Sequence, residues 1–166
     1  MISNTYEIDN LDNVHRQLNM HFSKDEQLKI AKKNIIKICF TDILAKFCFT
    51  IQNNDIVLDY RYFKFVSASE NHKIIIQYII SIIKNVLQMQ ETFTFHVNMN
   101  SITLLHIEKY FGFIKNISEI LKVTFPDKLN ICYVYNAPFI FSKLFNIVSS
   151  FIDNKTQKKI KLVKDE

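Results

Sequence analysis

The stretch that decides the fold runs from Val123 to Ile160, VTFPDKLNICYVYNAPFIFSKLFNIVSSFIDNKTQKKI. Phe125-Pro126 ends a helix, because proline lacks the N–H and restricts the residue before it. The β-branched and aromatic run at 131–135 predicts a strand, and Asn136-Ala137-Pro138 breaks it. Apolar residues then recur at helical spacing, at Phe141, Leu144, Phe145, Val148 and Ile152. An extended run at 160–163 follows, so the stretch predicts a βαβ unit with parallel strands.

The residues before this stretch extend the same alternation. Residues 70–89 predict a helix that is apolar on two neighbouring stripes, which is typical of a helix buried on both sides or bordering an apolar cavity. Residues 93–99 predict a strand, and residues 103–123 predict a long helix. The order from residue 70 is therefore α-β-α-β-α-β. This order predicts an α/β fold with a largely parallel sheet and helices packed on it.

The first part of the chain lacks this regular alternation of helices and strands. Residues 44–52 and 56–66 predict two strands joined by the Asn53-Asn54-Asp55 turn, which makes a β-hairpin. Ser23 and Glu26 have the spacing of a capping box that opens a helix. Residues 1–21 are polar and predict a loose helix or tail.

The length and composition indicate a single globular domain over residues 1–166. Within it we expect an N-terminal helical segment at 1–42 and an α/β core at 43–166. Hydrophobic residues make up 48% of the chain and charged residues 22%, which excludes a disordered protein. The single glycine argues against glycine-rich phosphate loops.

The net charge of +5 comes almost entirely from lysine, because Arg16 and Arg61 are the only arginines. Bidentate reading of bases or phosphates favours arginine, so the composition argues against nucleic-acid binding. Diffuse attraction to an anionic membrane surface suits such a chain better. An ordinary solvated lysine surface explains the charge equally well.

No cofactor or metal site is predicted. The five histidines show no metal-ligand spacing, and Cys39, Cys48 and Cys132 lie among apolar neighbours without a CxxC motif. We interpret the cysteines as buried free thiols in a reducing compartment. The N-terminus has no signal-peptide pattern, and the apolar window 74–83 is too short to span a bilayer. We therefore expect a cytoplasmic protein (host cytoplasm if the source is viral).

Catalysis is not predicted, because no convergent set of polar residues can be assembled. Ser142, Ser149 and Ser150 fall in a helical pattern without a nucleophile elbow. Asp127 and Asp153 are in turns, which aspartate favours for structural reasons. His96 is interpreted as a strand histidine with satisfied hydrogen bonds.

The decisive stretch also resembles a known family. Its motifs follow the pattern of CRAL-TRIO lipid-binding domains without a gap. These motifs are Phe125-Pro126-Asp127-Lys128, the strand with Asn136-Ala137-Pro138 and Phe139, and the later Phe151-Ile152-Asp153 and Lys159-Ile160. The resemblance covers the second half of the chain well and the first half only loosely. It implies a sheet of CRAL-TRIO type and a protein that binds or transfers phospholipid.

The family resemblance implies an apolar cavity for acyl chains, with the helix at 139–152 as its movable gate. The residues expected to line the cavity or the gate are Phe93, Phe95, Tyr133, Tyr135, Phe139, Phe141 and Phe145. Ordinary core packing remains open as the alternative, because aromatic residues at helical spacing usually pack in a core.

The family resemblance also implies a head-group site at Asp127, Lys128 and Lys159, the positions that hold inositol phosphate in phosphatidylinositol-transferring members. A phosphodiester needs a cation with hydrogen-bond donors, and inositol hydroxyls need an acceptor. The alternative is a solvated turn next to one of several C-terminal lysines.

Three features depart from the family pattern. Phe93 and Phe95 replace small polar residues that contact phosphocholine, so phosphatidylcholine exchange is not expected. Asn98 and Ser101 replace an acidic residue and a glycine. The chain ends soon after the last strand, so we expect a more open cavity or a protein partner that completes it.

The first hypothesis is thus non-enzymatic binding, transfer or sensing of a phospholipid, with phosphatidylinositol favoured, by a protein that associates transiently with membranes. The alternative hypothesis is a degenerate CRAL-TRIO fold that binds a protein partner and holds no lipid. An apolar cavity in the structure favours the first, and a filled interior favours the second.

Overall fold

The computed structural model describes residues 7–9, 12–24 and 39–164, and these residues contain one six-stranded sheet. The strands are β1 Glu7–Asp9, β2 Cys48–Ile51, β3 Asp55–Asp59, β4 Phe93–Asn98, β5 Leu129–Tyr135 and β6 Ile160–Val163. Their spatial order is β1-β6-β5-β4-β3-β2. Every neighbouring pair is parallel except β2 and β3, which form an antiparallel hairpin.

Helices connect and cover the strands. They are α1 Asn13–Ser23, α2 Phe40–Phe47, α3 Tyr60–Val66, α4 His72–Leu87, α5 Leu104–Thr124, α6 Phe141–Ser149 and the single turn α7 Asn154–Gln157. Each parallel pair from β3 to β6 is joined through at least one helix, as parallel pairing requires. The predicted α/β fold with a largely parallel sheet and βαβ crossovers is therefore confirmed.

Side-chain caps fix where several helices begin. The Thr103 hydroxyl accepts a hydrogen bond from the His106 amide at α5, and the Asp153 carboxylate accepts one from the Thr156 amide at α7. Asp12 caps α1 in the same way. Such caps satisfy amides that have no partner within the helix, typically stabilising it by about 1 kcal/mol.

The sheet has two different faces. Helices α4, α5 and α6 cover one face with a large apolar core that includes Ile75 and Ile79. Helix α1 covers the other face through Leu18 and Phe22, which pack with Val57, Tyr135 and Val163.

The sequence prediction for the hairpin is correct at its centre and wrong at its ends. Residues 40–47 form helix α2 instead of the start of a strand, because Ile43, Leu44 and Phe47 bury one helical face. Residues 60–66 form helix α3 instead of a strand continuation. The Asp59 carboxylate caps this helix by accepting from the Arg61 amide at 3.2 Å.

The N-terminal prediction also needs correction. Ser23 is the last residue of α1, and its hydroxyl donates to the Met20 carbonyl. The helix predicted from Ser23 onward lies outside the described residues. Residues 7–9, predicted as part of a tail or loose helix, pair with β6. The division into a segment at 1–42 and a core at 43–166 stays a prediction.

A buried polar network fixes the carboxyl ends of the central strands. The Asp59 carboxylate and the Arg61 guanidinium form an ion pair at 2.7 Å, and Arg61 also donates to the Phe22 carbonyl at the end of α1. The Asn98 amide donates to Asp59 and accepts from Asn136, each at 3.0 Å. The network thereby joins three strand ends to the helix behind them.

One position that departs from the family pattern, Asn98, belongs to this network, and a second, Ser101, lies in the turn that follows. Asn98 supplies both a donor and an acceptor, which an acidic side chain cannot do when ionised. Ser101, at a glycine position of the family, adopts the left-handed backbone with φ 68°. The turn after β4 is therefore formed without the glycine.

Candidate functional site

An apolar cavity of about 570 Å³ lies between the sheet and the helices α5 and α6. Its volume falls within the range of roughly 300–1,000 Å³ that is usual for small-molecule sites. Most of its wall is aliphatic or aromatic, and it is partly open to solvent. The apolar wall can hold hydrocarbon but offers few groups for polar chemistry.

The sheet supplies one wall through alternate residues of its strands. Phe93, Phe95 and Val97 of β4 point to the cavity side, as do Cys132 and Val134 of β5. The rings of the two phenylalanines pack edge to face at 5.0 Å. They narrow this part of the cavity without filling it.

The helices supply the opposite wall. Helix α5 presents Ile114, Ile117 and Leu121 to the cavity, one helical turn apart. Helix α6 presents Phe141 and Phe145, which are both buried. Of the seven residues predicted for the cavity or the gate, Phe93, Phe95, Phe141 and Phe145 line it.

The placement of Tyr133 and Tyr135 in the cavity is wrong. Both tyrosines lie on the other face of the sheet, where Tyr135 is fully buried against α1. A register shift between β4 and β5 places Leu129 and Cys132 on the cavity side, although they are three residues apart. In the residues that follow, Val134 therefore faces the cavity, and Tyr133 and Tyr135 face helix α1.

Phe139 does not line the cavity either. Its side chain is 98% exposed in the turn before α6, after Pro138. The Phe139 ring is therefore free to make an apolar contact outside the cavity. Of the three phenylalanines predicted for the gate, Phe141 and Phe145 thus face the cavity and Phe139 faces solvent, and the gate itself stays a prediction.

One end of the cavity carries charges, and two of the three predicted head-group residues lie there. Asp127 and Lys159 belong to the cavity wall, whereas Lys128 is exposed and does not. Lys122, which the sequence did not single out, lines the wall as well. Helical spacing could have suggested Lys122, since it lies one turn after Ser118, which also lines the cavity.

Hydrogen bonds orient the charges at this end. The Lys159 ammonium donates to the Leu129 carbonyl, which leaves two of its three N–H donors for a ligand. Asp127 accepts a hydrogen bond from the Lys155 ammonium at 2.7 Å. This bond holds the pKa of the Asp127 carboxyl below its usual value and raises the pKa of Lys155.

The cavity wall has two polar groups at its opposite end. Tyr60 begins α3 and is buried, and His106 lies in the first turn of α5. Their ring centroids are 5.8 Å apart. The sequence carried no signal for this pair, because the two residues are 46 positions apart and come together only through the parallel order of β3 and β4.

Other polar groups are structural. His96 bonds to Asp55 at 2.7 Å and to the Tyr135 hydroxyl at 2.8 Å, which confirms the prediction of a satisfied strand histidine. Within the residues that the structure describes, no three His, Cys, Asp or Glu side chains are placed to hold a metal ion. No helix in that part of the chain has the length and apolar character needed to cross a bilayer.

The cysteines are free thiols, but they differ in exposure. Cys48 is buried and Cys132 is partly buried in the cavity wall, and burial raises the pKa of each thiol to about 12. The prediction that Cys39 is buried is wrong. It lies just before α2 and faces solvent, where its sulfur contacts the Thr41 hydroxyl at 3.0 Å and its pKa is lowered by this bond.

Comparison with known families identifies the class of protein. Residues 49–166 match the CRAL/TRIO domain, and this segment contains the hairpin except Cys48 and every residue of the cavity wall except Phe47. The chain therefore belongs to the CRAL/TRIO domain family. The predicted resemblance is confirmed.

Individual relatives are fungal. The chain is 30% identical over 67 residues to the Sec14 cytosolic factor of Schizosaccharomyces pombe, across 40% of this chain and 23% of that protein. It is 31% identical over 64 residues to the SEC14 cytosolic factor of Yarrowia lipolytica, across 39% of this chain and 13% of that protein. The chain thus matches under a quarter of the length of either relative.

Among solved structures, the crystal structure of Sfh5 superposes with a TM-score of 0.62. The superposition covers 78% of this chain and 51% of that chain, at 18% sequence identity. At this identity the similarity shows the shared fold alone.

Proposed function

We propose that this chain binds a single phospholipid, with phosphatidylinositol favoured, and that it transfers or senses this lipid without catalysing a reaction. The observation that carries the proposal is an apolar cavity with cations at one end. Membership in the CRAL/TRIO domain family and similarity to Sec14 cytosolic factors support lipid binding as the general activity.

The hydrocarbon chains supply most of the affinity in this proposal. Each buried methylene contributes roughly 0.8 kcal/mol, so a few methylenes along the cavity outweigh any one polar contact. The walls formed by α5 and α6 would cover one side of the chains, and β4 and β5 the other. The aromatic rings of Phe141 and Phe145 on α6 give the gate its apolar inner side.

The charged end supplies head-group selectivity. Lys159 has two free donors for a phosphodiester, and Lys122 brings a second cation to the same wall. Asp127 offers acceptors for inositol hydroxyls. Lys128 belonged to the predicted site, but its exposed position outside the wall gives it at most a long-range effect that salt would screen.

We also propose that the protein is cytoplasmic and meets anionic membranes transiently at the gate. The fungal relatives bear the name cytosolic factor. Phe139 provides an apolar group on the outer side of the gate, and the net charge of +5 favours an anionic surface. Lipid exchange would then take place where the gate touches the bilayer.

The alternative, a protein-interaction module without lipid, rests on the narrowing by Phe93 and Phe95. The remaining volume of about 570 Å³ favours the lipid hypothesis over this alternative. A protein partner that closes the cavity stays a separate proposal.

A vesicle assay tests the proposal. Purified protein is mixed with donor vesicles that contain radiolabelled phosphatidylinositol or phosphatidylcholine and with unlabelled acceptor vesicles. We expect phosphatidylinositol to be extracted or transferred in excess over phosphatidylcholine. Extraction of neither lipid above a no-protein blank contradicts lipid binding, and equal extraction of both contradicts the head-group selectivity.

A further inference from the structure

The cavity is smaller than the ligand proposed for it. A methylene group is similar in size to a water molecule in the liquid, which occupies roughly 30 Å³. The cavity volume of about 570 Å³ therefore holds on the order of 20 such groups, which amounts to one acyl chain. Because a diacyl phospholipid has two chains, a wall of the cavity must move outward to admit the whole lipid.

Of the two helices over the cavity, α6 is the better placed to move. Helix α5 has 21 residues, and its Tyr110 hydroxyl is hydrogen-bonded to the Ser67 hydroxyl at 2.5 Å. Helix α6 has nine residues, and its N-cap residue Ile140 makes no side-chain cap bond. A helix this short has little stability of its own, so its position depends on what holds its two ends.

The beginning of α6 is tied to the body of the protein. Asn136, in the turn before this helix, donates a hydrogen bond to the Asn98 side chain at 3.0 Å. Asn98 is fully buried and donates in turn to the Asp59 carboxylate. This end of α6 therefore rests on the buried polar network and serves as a fixed end.

The side-chain amide of Gln157 holds the other end of α6. It donates to the Ser149 carbonyl at 3.1 Å and to the Ile152 carbonyl at 2.7 Å. Ser149 is the last residue of α6, and Ile152 lies in the turn that follows. Gln157 belongs to α7, which leads into β6, so these two bonds tie the end of α6 to a segment anchored in the sheet.

The turn after α6 also reaches across the cavity to α5. Phe151 in this turn lines the cavity, and its ring meets the ring of Phe111 on α5 edge to face at 5.7 Å. Phe111 is 40% exposed and lies outside the cavity wall. Ile152 and Asp153 line the cavity beside Phe151, so this turn forms a rim over the charged end.

We propose that Gln157 is a latch for lipid entry and release. Its two hydrogen bonds hold the rim over the charged end of the cavity, and their loss lets α6 swing outward about its fixed end. Both bonds join neutral groups, so they favour the closed position by a modest factor that lipid exchange can overcome. Gln157 lies outside the cavity wall, so it acts as a positioning residue through α6.

The inference rests on the proposed lipid-binding function, because it concerns how the same cavity is filled and emptied. Lipid release gives the first test. The chain is loaded with radiolabelled phosphatidylinositol, and the release of this lipid into an excess of unlabelled phosphatidylinositol vesicles is timed. Gln157→Leu removes both donors and should speed release by about five- to fiftyfold, the combined effect of two neutral hydrogen bonds.

Gln77→Leu is the matched control. Gln77 is an exposed glutamine of α4 outside the cavity wall, so this variant should release lipid at the wild-type rate. If Gln157→Leu does not fold, Phe111→Ala replaces it, because it removes the ring contact of the rim from outside the cavity. Phe111→Ala should also speed release.

Hydrogen exchange of the lipid-free chain distinguishes a latch from a general loss of stability. In Gln157→Leu, amides at 141–152 should exchange faster by a similar factor, while amides at 104–124 and the unfolding temperature stay near the wild-type values. A wild-type release rate in the folded variant overturns the latch, even if exchange at 141–152 is faster, because Gln157 then only caps α6.

The failure of the latch and the failure of the proposed function give different results. If the wild type binds no phosphatidylinositol, the proposed function fails. Hydrogen exchange then still tests the latch: faster exchange confined to 141–152 in Gln157→Leu supports it, and unchanged exchange overturns it. If the wild type binds phosphatidylinositol and the variants release it at the wild-type rate, only the latch fails.

Discussion

The ammonium group of Lys155 lies 2.7 Å from the carboxylate of Asp127, so the acidic residue of the predicted head-group site pairs with Lys155 and not with its neighbour Lys128. Asp127 adopts the left-handed backbone with φ 59°, which aspartate tolerates better than most residues. Both partners are largely exposed, so the pair contributes little to stability. The pair matters because it affects the charge at the end of the cavity where β5 and β6 begin.

The first prediction concerns the lysines at that end. Replacing Lys159 with alanine should weaken phosphatidylinositol binding by about tenfold or more, because a charge-assisted hydrogen bond is lost. Lys128→Ala removes the same charge from a position outside the cavity wall and should change the affinity by less than about twofold. Vesicle extraction with each variant measures both, and equal losses in the two variants would show that only net charge matters.

A second prediction concerns the exposed ring before the gate. Phe139→Asp should reduce sedimentation with anionic vesicles, because it replaces an apolar group that can enter the interface with a carboxylate. Met89→Asp is the control, since Met89 is 83% exposed but lies at the end of α4, outside the gate. Both variants should unfold at the wild-type temperature. An identical loss of vesicle binding in the two would contradict a specific role of the gate.

A third prediction concerns the buried ion pair at the carboxyl edge. Asp59→Asn should lower the free energy of unfolding by about 3–5 kcal/mol, because it removes the carboxylate that forms a buried ion pair with the Arg61 guanidinium at 2.7 Å. Urea unfolding followed by circular dichroism measures this. Lys155→Ala breaks an exposed pair and should leave the midpoint almost unchanged. A wild-type midpoint in Asp59→Asn would show that the pair is dispensable.

A fourth prediction follows from the different pKa values of the thiols. Thiolate is the reactive form, so Cys39, with its lowered pKa, should be alkylated first by iodoacetamide near pH 8. Cys48 and Cys132, with a pKa of about 12, should react slowly in the folded chain and quickly in denaturant. Peptide mass mapping over time gives the order, and fast labelling of Cys132 would contradict an intact cavity wall.

Much of the fold could be predicted because the pattern from residue 70 onward is regular. The predicted helix at 103–123 is observed as Leu104–Thr124, and the predicted strand at 93–99 as Phe93–Asn98. Proline, asparagine and aspartate mark the boundaries in this region by local chemistry. Local rules and tertiary packing agree there, so the sequence suffices.

The rest depended on contacts that are distant in sequence. Strand β1 has three residues and is defined only by pairing with β6. Helices α2 and α3 replaced predicted strand ends because packing on the core outweighs weak local preference.

The side that each residue of β5 faces could not be predicted for a related reason. In Cys132-Tyr133-Val134-Tyr135, both alternating sets are apolar or aromatic, so the alternation alone does not assign the inner face. The register shift next to Phe95 decides it. The proximity of the Tyr60 and His106 rings could not be predicted either, because it depends on the pairing of β3 with β4.

Native mass spectrometry of the purified chain tests the central claim most directly. We predict one bound phospholipid on the wild type and none on Ile117→Trp, whose indole would occupy the cavity from α5. Val123→Trp is the control on the same helix, because Val123 is 81% exposed, and it should retain the lipid. Wild-type protein that carries no lipid even after incubation with phosphatidylinositol vesicles would contradict the account.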